Sequence, residues 1–141
     1  MDESLLEIRE YSGEAYQPLV DYGEWRVALL RPADDMLPQN IHRFQRHDET
    51  DEVFVLLQGR CILYIGEGGE TITTIHAQDM EPLKVYNVKQ GVWHNHTLNE
   101  DAVVLIVENR DTSDHNSPFC ALDETQREQV VDLCTTLWYA G

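Results

Sequence analysis

From Trp25 onward the chain is written in short runs of apolar and alternating residues broken by turn formers. Trp25-Arg26-Val27-Ala28-Leu29-Leu30 reads as a strand stopped by Arg31-Pro32, and Asp34 to Pro38 reads as a turn. Over Asn40 to His47 a period of two puts Ile41, Arg43, Gln45 and His47 on one face and His42, Phe44 and Arg46 on the other. Six more strands are predicted over Glu52–Leu57, Arg60–Ile65, Thr71–His76, Lys84–Val88, Val92–Leu98 and Ala102–Glu108. Turns such as Gln58-Gly59, Gly66-Glu67-Gly68-Gly69 and Lys89-Gln90-Gly91 separate them. Short strands at regular spacing, with no helices between them, predict an all-β sandwich or barrel.

The two ends read differently. Leu5-Leu6-Glu7-Ile8 suggests a short strand, and Tyr11 to Gly23, with Gly, Pro and three tyrosines, suggests loops and edge strands. At the other end one helix is predicted over about 123–139. Asp123 is its N-cap, Gln126 sits at the capping-box position, and Val130, Val131, Cys134, Leu137 and Trp138 form an apolar face for the barrel or a partner subunit.

A chain of 141 residues makes one domain, 1–141, with a barrel core over about 25–110. A domain of this size buries roughly 68% of the surface its unfolded chain exposes, so it needs no disulfide staples. Cys61, Cys120 and Cys134 are odd in number and in no metal-type spacing, which reads as reduced thiols. The opening Met-Asp-Glu-Ser lacks the layout of a signal peptide and no apolar run reaches membrane-spanning length, so a cytoplasmic protein with no membrane partner is expected. The 26 acidic side chains outnumber 10 basic ones, for a net charge of −16. That field repels phosphate backbones and argues against nucleic acid. It serves solubility, and an anionic small ligand would need a local countercharge from a metal or an arginine.

Candidate chemistry gathers on few residues. On a strand, side chains at i and i+2 share a face, a condition met by Gln45 with His47 and by His94 with His96. Glu52, entering the next strand, adds a carboxylate. Two imidazoles, a carboxylate and open positions suit a divalent ion, Zn, Mn, Fe or Ni. His42, His76 and His115 read as non-ligands. The acidic loop Asp48-Glu49-Thr50-Asp51 and the tract Asp111–Asp114 read as solvated.

His47, four residues, Glu52, six residues, Gly59, followed about thirty residues later by Gly91-Val92-Trp93-His94, resembles the two motifs of the cupin superfamily. The resemblance covers about residues 25 to 110. It implies a double-stranded β-helix, or jelly-roll, barrel with His47, Glu52 and His94 as metal ligands. Gln45 stands where cupins usually carry a first histidine, and it could ligate only weakly, through its carbonyl oxygen. Ile41 to His47, Tyr86 to His94 and Glu108 to Asn116 are further similar to the ureidoglycolate lyase family. That resemblance implies a homodimer that splits ureidoglycolate into glyoxylate and urea. Gln45 and Arg43 fall where that family has acidic residues.

This donor set implies a role for each residue. A divalent ion would chelate a substrate carboxylate and lower the pKa of an adjacent hydroxyl. His96 would be the base, or would simply hydrogen-bond a pocket carboxylate. Arg43 would clamp a substrate carboxylate, or form an ion pair at the rim. Tyr86 would shape the pocket or pack, and Trp93, opposite His94 in the period, would pack. Three functions stay open: a metal-dependent lyase, a non-catalytic small-ligand-binding or sensor cupin, and an iron-dependent dioxygenase.

Overall fold

The computed structural model describes residues 1–139; of the expected 1–141 domain, 140 and 141 lie outside the described residues. The described residues form ten strands and one long helix. Strands β1 (Ala15–Tyr22), β2 (Trp25–Arg31), β9 (Val103–Asn109), β4 (Glu52–Gln58) and β7 (Val85–Val88) make one antiparallel sheet in that order. Strands β10 (Phe119–Ala121), β3 (Arg43–Gln45), β8 (Trp93–Leu98), β5 (Cys61–Glu67) and β6 (Thr74–Asp79) make the second. The sheets face each other, as expected for a jelly roll.

Alternation decides what lies between them. From β2 come Ala28 and Leu30, from β4 Phe54 and Leu56, from β9 Val104 and Ile106, and from β5 Cys61 and Leu63, all within one buried cluster. Burying a Phe or Leu side chain is worth about 1.5–3 kcal/mol, so this layer is a main source of stability. The intervening residues of β5, Ile62 and Tyr64, belong to a second cluster outside the second sheet, with Phe44, Ile75, Trp93, Val130 and Cys134. Strand β5 is therefore covered on both faces, which explains its nearly unbroken apolar sequence.

The second cluster is roofed by α1 (Glu124–Trp138). Asp123 and Gln126 form the expected capping box. The Tyr64 hydroxyl donates to the Val130 carbonyl at 3.1 Å, and Trp138 Nε1 donates to Asp79 at 3.0 Å. The predicted apolar face is confirmed at Val130 and Cys134, which are buried, while Leu137 is exposed. No helix among the described residues is long and apolar enough to cross a membrane.

Three expectations are corrected. Leu5–Ile8 is not a strand; Leu5 and Ile8 are exposed and have no ladder to join. The sixth strand begins at Thr74 rather than Thr71, because Ile72 turns into the outer cluster and the hairpin closes through Thr73 N–H to the Glu67 carbonyl at 2.7 Å. The period-two reading of Asn40 to His47 blurs at its start: Ile41 lines the cavity with Arg43, Gln45 and His47, but so does His42, and Ile41 also packs in the outer cluster with Phe44. Residues 38–40 form a short 3-10 turn that resets the phase before β3.

Candidate metal centre

One end of the space between the sheets is not filled by apolar side chains and opens as a cavity of about 430 Å³. His47, Glu52, His94, His96, Gln45, Arg43, Arg26 and Glu108 all line it. Each arrives for a local reason. Glu52 opens β4, one step outside the apolar stretch, on the same inner face as Phe54. His94 and His96 are alternate residues of β8, facing inward while Trp93 faces the outer cluster. His47 follows β3, and its carbonyl accepts from Gly91 N–H at 2.8 Å, which docks the turn before β8 against it.

The two imidazoles converge on one atom. Nε2 of His47 lies 3.0 Å and Nε2 of His94 lies 2.9 Å from the same Oε1 of Glu52. The far nitrogens are held as well: His94 Nδ1 meets the Val92 carbonyl at 3.0 Å and His47 Nδ1 meets Ser117 Oγ at 2.7 Å. With Nδ1 keeping its proton, release of the Nε2 proton that bonds Glu52 would leave each ring an Nε2 lone pair aimed at the cavity, the arrangement that metal-binding histidines adopt. In an octahedral shell, ligand bonds of about 2.1 Å set adjacent donors about 3.0 Å apart. The spacings around Glu52 match that, and all three donor groups lie within 4.8 Å of one another. The residues fit a divalent ion.

Charge supports the same conclusion. Burial alone would raise the Glu52 carboxyl, but hydrogen bonds from His47 and His94 and their charge hold it well below the usual range, so it is an anion. For His47, burial works against protonation, and the hydrogen bond and charge of Glu52, with the charge of Glu108, more than offset it and raise its pKa. Burial pushes His96 down to about 4, so that ring is neutral at physiological pH. Its Nδ1 is buried without a hydrogen-bond partner.

The remaining predicted residues are placed as follows. Gln45 lines the cavity, pairs with His94 across β3 and β8, and donates its amide to the Ser117 carbonyl at 3.0 Å, leaving only its side-chain oxygen as a ligand. Arg43 sits at the rim with its guanidinium 3.6 Å from the centre of the Phe119 ring, and among the described residues it makes no ion pair. Tyr86 packs away from the cavity, its hydroxyl accepting from Glu81 N–H. Trp93 packs on the outside, as expected.

Sequence reasoning missed a second polar group in the cavity. Glu108 accepts from the Tyr16 hydroxyl at 2.6 Å and from Arg26 at 2.9 Å, and Arg26 also reaches the carbonyls of Arg110 and Thr112. Burial and then the neighbouring Glu52 raise the Glu108 carboxyl. The signal was available: in Ala102–Glu108 the inward positions are Ala102, Val104, Ile106 and then a glutamate. A second cluster, Glu49, Asp111 and His115, is exposed, in keeping with the solvated reading of these stretches.

No protein-family model matches the sequence. No curated protein matches it. Solved structures do share the fold. A cupin-2 domain containing protein from Shewanella frigidimarina aligns with a TM-score of 0.50 and 17% identity, over 77% of this chain and 89% of that one. The capsular polysaccharide assembling protein CapF from Staphylococcus aureus gives 0.57 and 14%, over 86% of this chain and 34% of the other. The nucleoside dehydratase Pac13 gives 0.54 and 6%, over 82% and 87%. The fold is a cupin jelly roll with a C-terminal helix.

Proposed function

We propose that this chain is a metal-dependent lyase acting on a small polar carboxylate or ureido compound, of the kind ureidoglycolate represents. The observation that carries the reading is the convergence of His47 and His94 on one oxygen of Glu52 at the wall of a cavity of about 430 Å³. A bound divalent ion would supply Lewis acidity, lowering the pKa of a substrate hydroxyl. His96, a neutral ring that lines the cavity, is assigned to hydrogen-bond that hydroxyl. Arg43, stacked on Phe119 and free of ion pairs among the described residues, supplies the countercharge that a substrate carboxylate needs on a chain of net charge −16. The barrel is also that of Pac13, a dehydratase, so elimination chemistry occurs on this scaffold.

A non-catalytic binding cupin is the second reading, favoured by Gln45, whose amide is held by the Ser117 carbonyl and whose oxygen is a poor ligand. A homodimer belongs to either reading: Leu5 and Ile8 are 77% and 76% exposed on a segment outside the barrel, apolar surface that a second copy would cover.

Elemental analysis of untagged protein, with His47→Ala and His94→Ala beside it, tests the site. Near-stoichiometric metal lost in both variants is expected; iron would move the reading to a dioxygenase, and no uptake of any divalent ion would overturn it. Substrate screening then starts with ureidoglycolate, read by release of glyoxylate and urea. Tight ligand binding without turnover of any compound would favour the binding protein.

A further inference from the structure

The carboxyl group of Glu108 has one oxygen committed and one not. Its Oε1 accepts from the Tyr16 hydroxyl at 2.6 Å and Arg26 Nη2 at 2.9 Å. Its Oε2 is buried, has no hydrogen-bond partner, and lies 3.9 Å from Nε2 of His47. A buried carboxylate oxygen without a partner is costly, and native structures keep such atoms where something positive meets them.

Register explains the placement. Along β4 and β9, Val53 faces Val107 and Phe54 faces Ile106, so the next facing pair is Glu52 and Glu108, both on the inner face. Two neighbouring buried carboxylates repel each other. Arg26 answers only the Oε1 side of Glu108, and the two histidines hydrogen-bond only Glu52 Oε1, with His47 Nε2 3.9 Å from Glu108 Oε2. The side of Glu108 that faces the histidines is left without a hydrogen-bonded cation.

We propose that Glu108 Oε2 is a fourth protein ligand of the ion held by His47, Glu52 and His94, filling the role for which Gln45 offers only an amide oxygen. This rests on the metal-site reading above. In an octahedral shell with bonds of about 2.1 Å, adjacent donors lie about 3.0 Å apart and opposite donors about 4.2 Å apart, and in a tetrahedral shell all donors lie about 3.4 Å apart. The 3.9 Å from Glu108 to His47 falls within that span, toward the opposite arrangement. Two carboxylates bring a divalent ion to neutrality inside a buried cavity, and an N₂O₂ set suits Mn, Fe or Zn rather than a thiophilic ion. Tyr16 and Arg26 are then positioning residues, holding Oε1 so that Oε2 points at the ion.

The test uses the full chain stripped with a chelator. Dissociation constants for Mn(II) and Zn(II) are measured by competition with a chromogenic chelator, and the Co(II) absorption spectrum reads the coordination directly. Glu108→Gln keeps the shape and the bonds to Tyr16 and Arg26; it is expected to weaken both ions by about 100-fold or more and to alter the Co(II) bands, beyond the roughly 10–100-fold of an outer partner. Tyr16→Phe, which leaves Oε2 in place, is expected to weaken binding less than Glu108→Gln and to keep the spectrum. A Glu108→Gln protein with the unaltered Co(II) spectrum overturns the proposal, whatever its affinity. If that variant does not fold, Glu108→Asp replaces it: the charge stays and the reach shortens, so unchanged affinity and spectrum would again overturn the proposal. Failure of the unaltered chain to take up any ion would instead remove the metal site itself, a separate and visible result.

Discussion

Ser117 Oγ stands 2.7 Å from Nδ1 of His47, linking positions 70 apart in sequence at a point where both side chains are buried. The hydroxyl donates onward to Asn116 Oδ1 at 3.3 Å, so it is free to accept the Nδ1 proton, and Nε2 is left facing Glu52. Removing that acceptor frees the ring to change tautomer or turn. Ser117→Ala is expected to lower metal affinity by roughly 10–100-fold. Chelator competition measures it, and an affinity equal to that of the unaltered chain would show that Ser117 does not orient the ring.

His96 sets a pH dependence of stability. Burial lowers its pKa to about 4 from the ordinary 6.5, so between these values the unfolded chain binds the proton and the folded chain does not. The contribution is complete above pH 6.5 and is lost as pH falls toward 4. Between pH 6.5 and 5 the loss is about 1–2 kcal/mol from this residue. Urea unfolding of the metal-free chain at the two pH values, against His96→Asn, should show a steeper acid loss in the unaltered chain. Parallel losses would remove His96 as the cause.

Two motif glycines should differ sharply. Gly59 has φ +74, and a Cβ there would lie 2.6 Å from the Ala102 Cα; Gly91 has φ +78 with nothing within 4 Å. Gly91→Ala meets only the left-handed backbone penalty, about 1–2 kcal/mol. Gly59→Ala adds a backbone collision and should cost at least about 3 kcal/mol. Denaturant midpoints of the two variants decide it, and equal costs would contradict the close packing of the β4–β5 turn on Ala102.

At the helix start, Asp123 Oδ1 accepts from Gln126 N–H at 2.8 Å and Gln126 returns the bond at 3.0 Å. Asp123→Ala should cost about 1 kcal/mol. Val130, fully buried beneath Tyr64, should cost about 1–3 kcal/mol as Val130→Ala. Thermal melts rank the two; a larger effect at the cap would mean that capping, rather than docking on the second sheet, holds the helix.

The strands from β4 to β9, the capping box and the His47–Glu52–His94 group were legible because each is written locally, in alternation, in turn residues or in fixed spacing. What was not legible depends on contacts between distant segments. β10 is three residues long, too short for a period, and exists because Cys120 pairs with Phe44. Ser117 and Arg26 carry no motif, and only the folded sheets bring them to His47 and Glu108. Glu108 was half legible: its inward phase could be read, but not the pairing of β4 with β9 that sets it beside Glu52. Leu5–Ile8 has the composition of a strand and no neighbour to pair with.

The division of donors between the sheets has a mechanical consequence. Glu52 and Glu108 belong to the sheet of β4 and β9, whereas His94 belongs to the sheet of β8 and His47 follows β3 in it. An ion bound by both sets is a clasp across the open end of the sandwich, and its binding free energy resists the prising apart of the two layers. Loading should slow amide exchange in β4 and β8 together, while α1, fastened to the outer side of the second sheet, exchanges at its own pace.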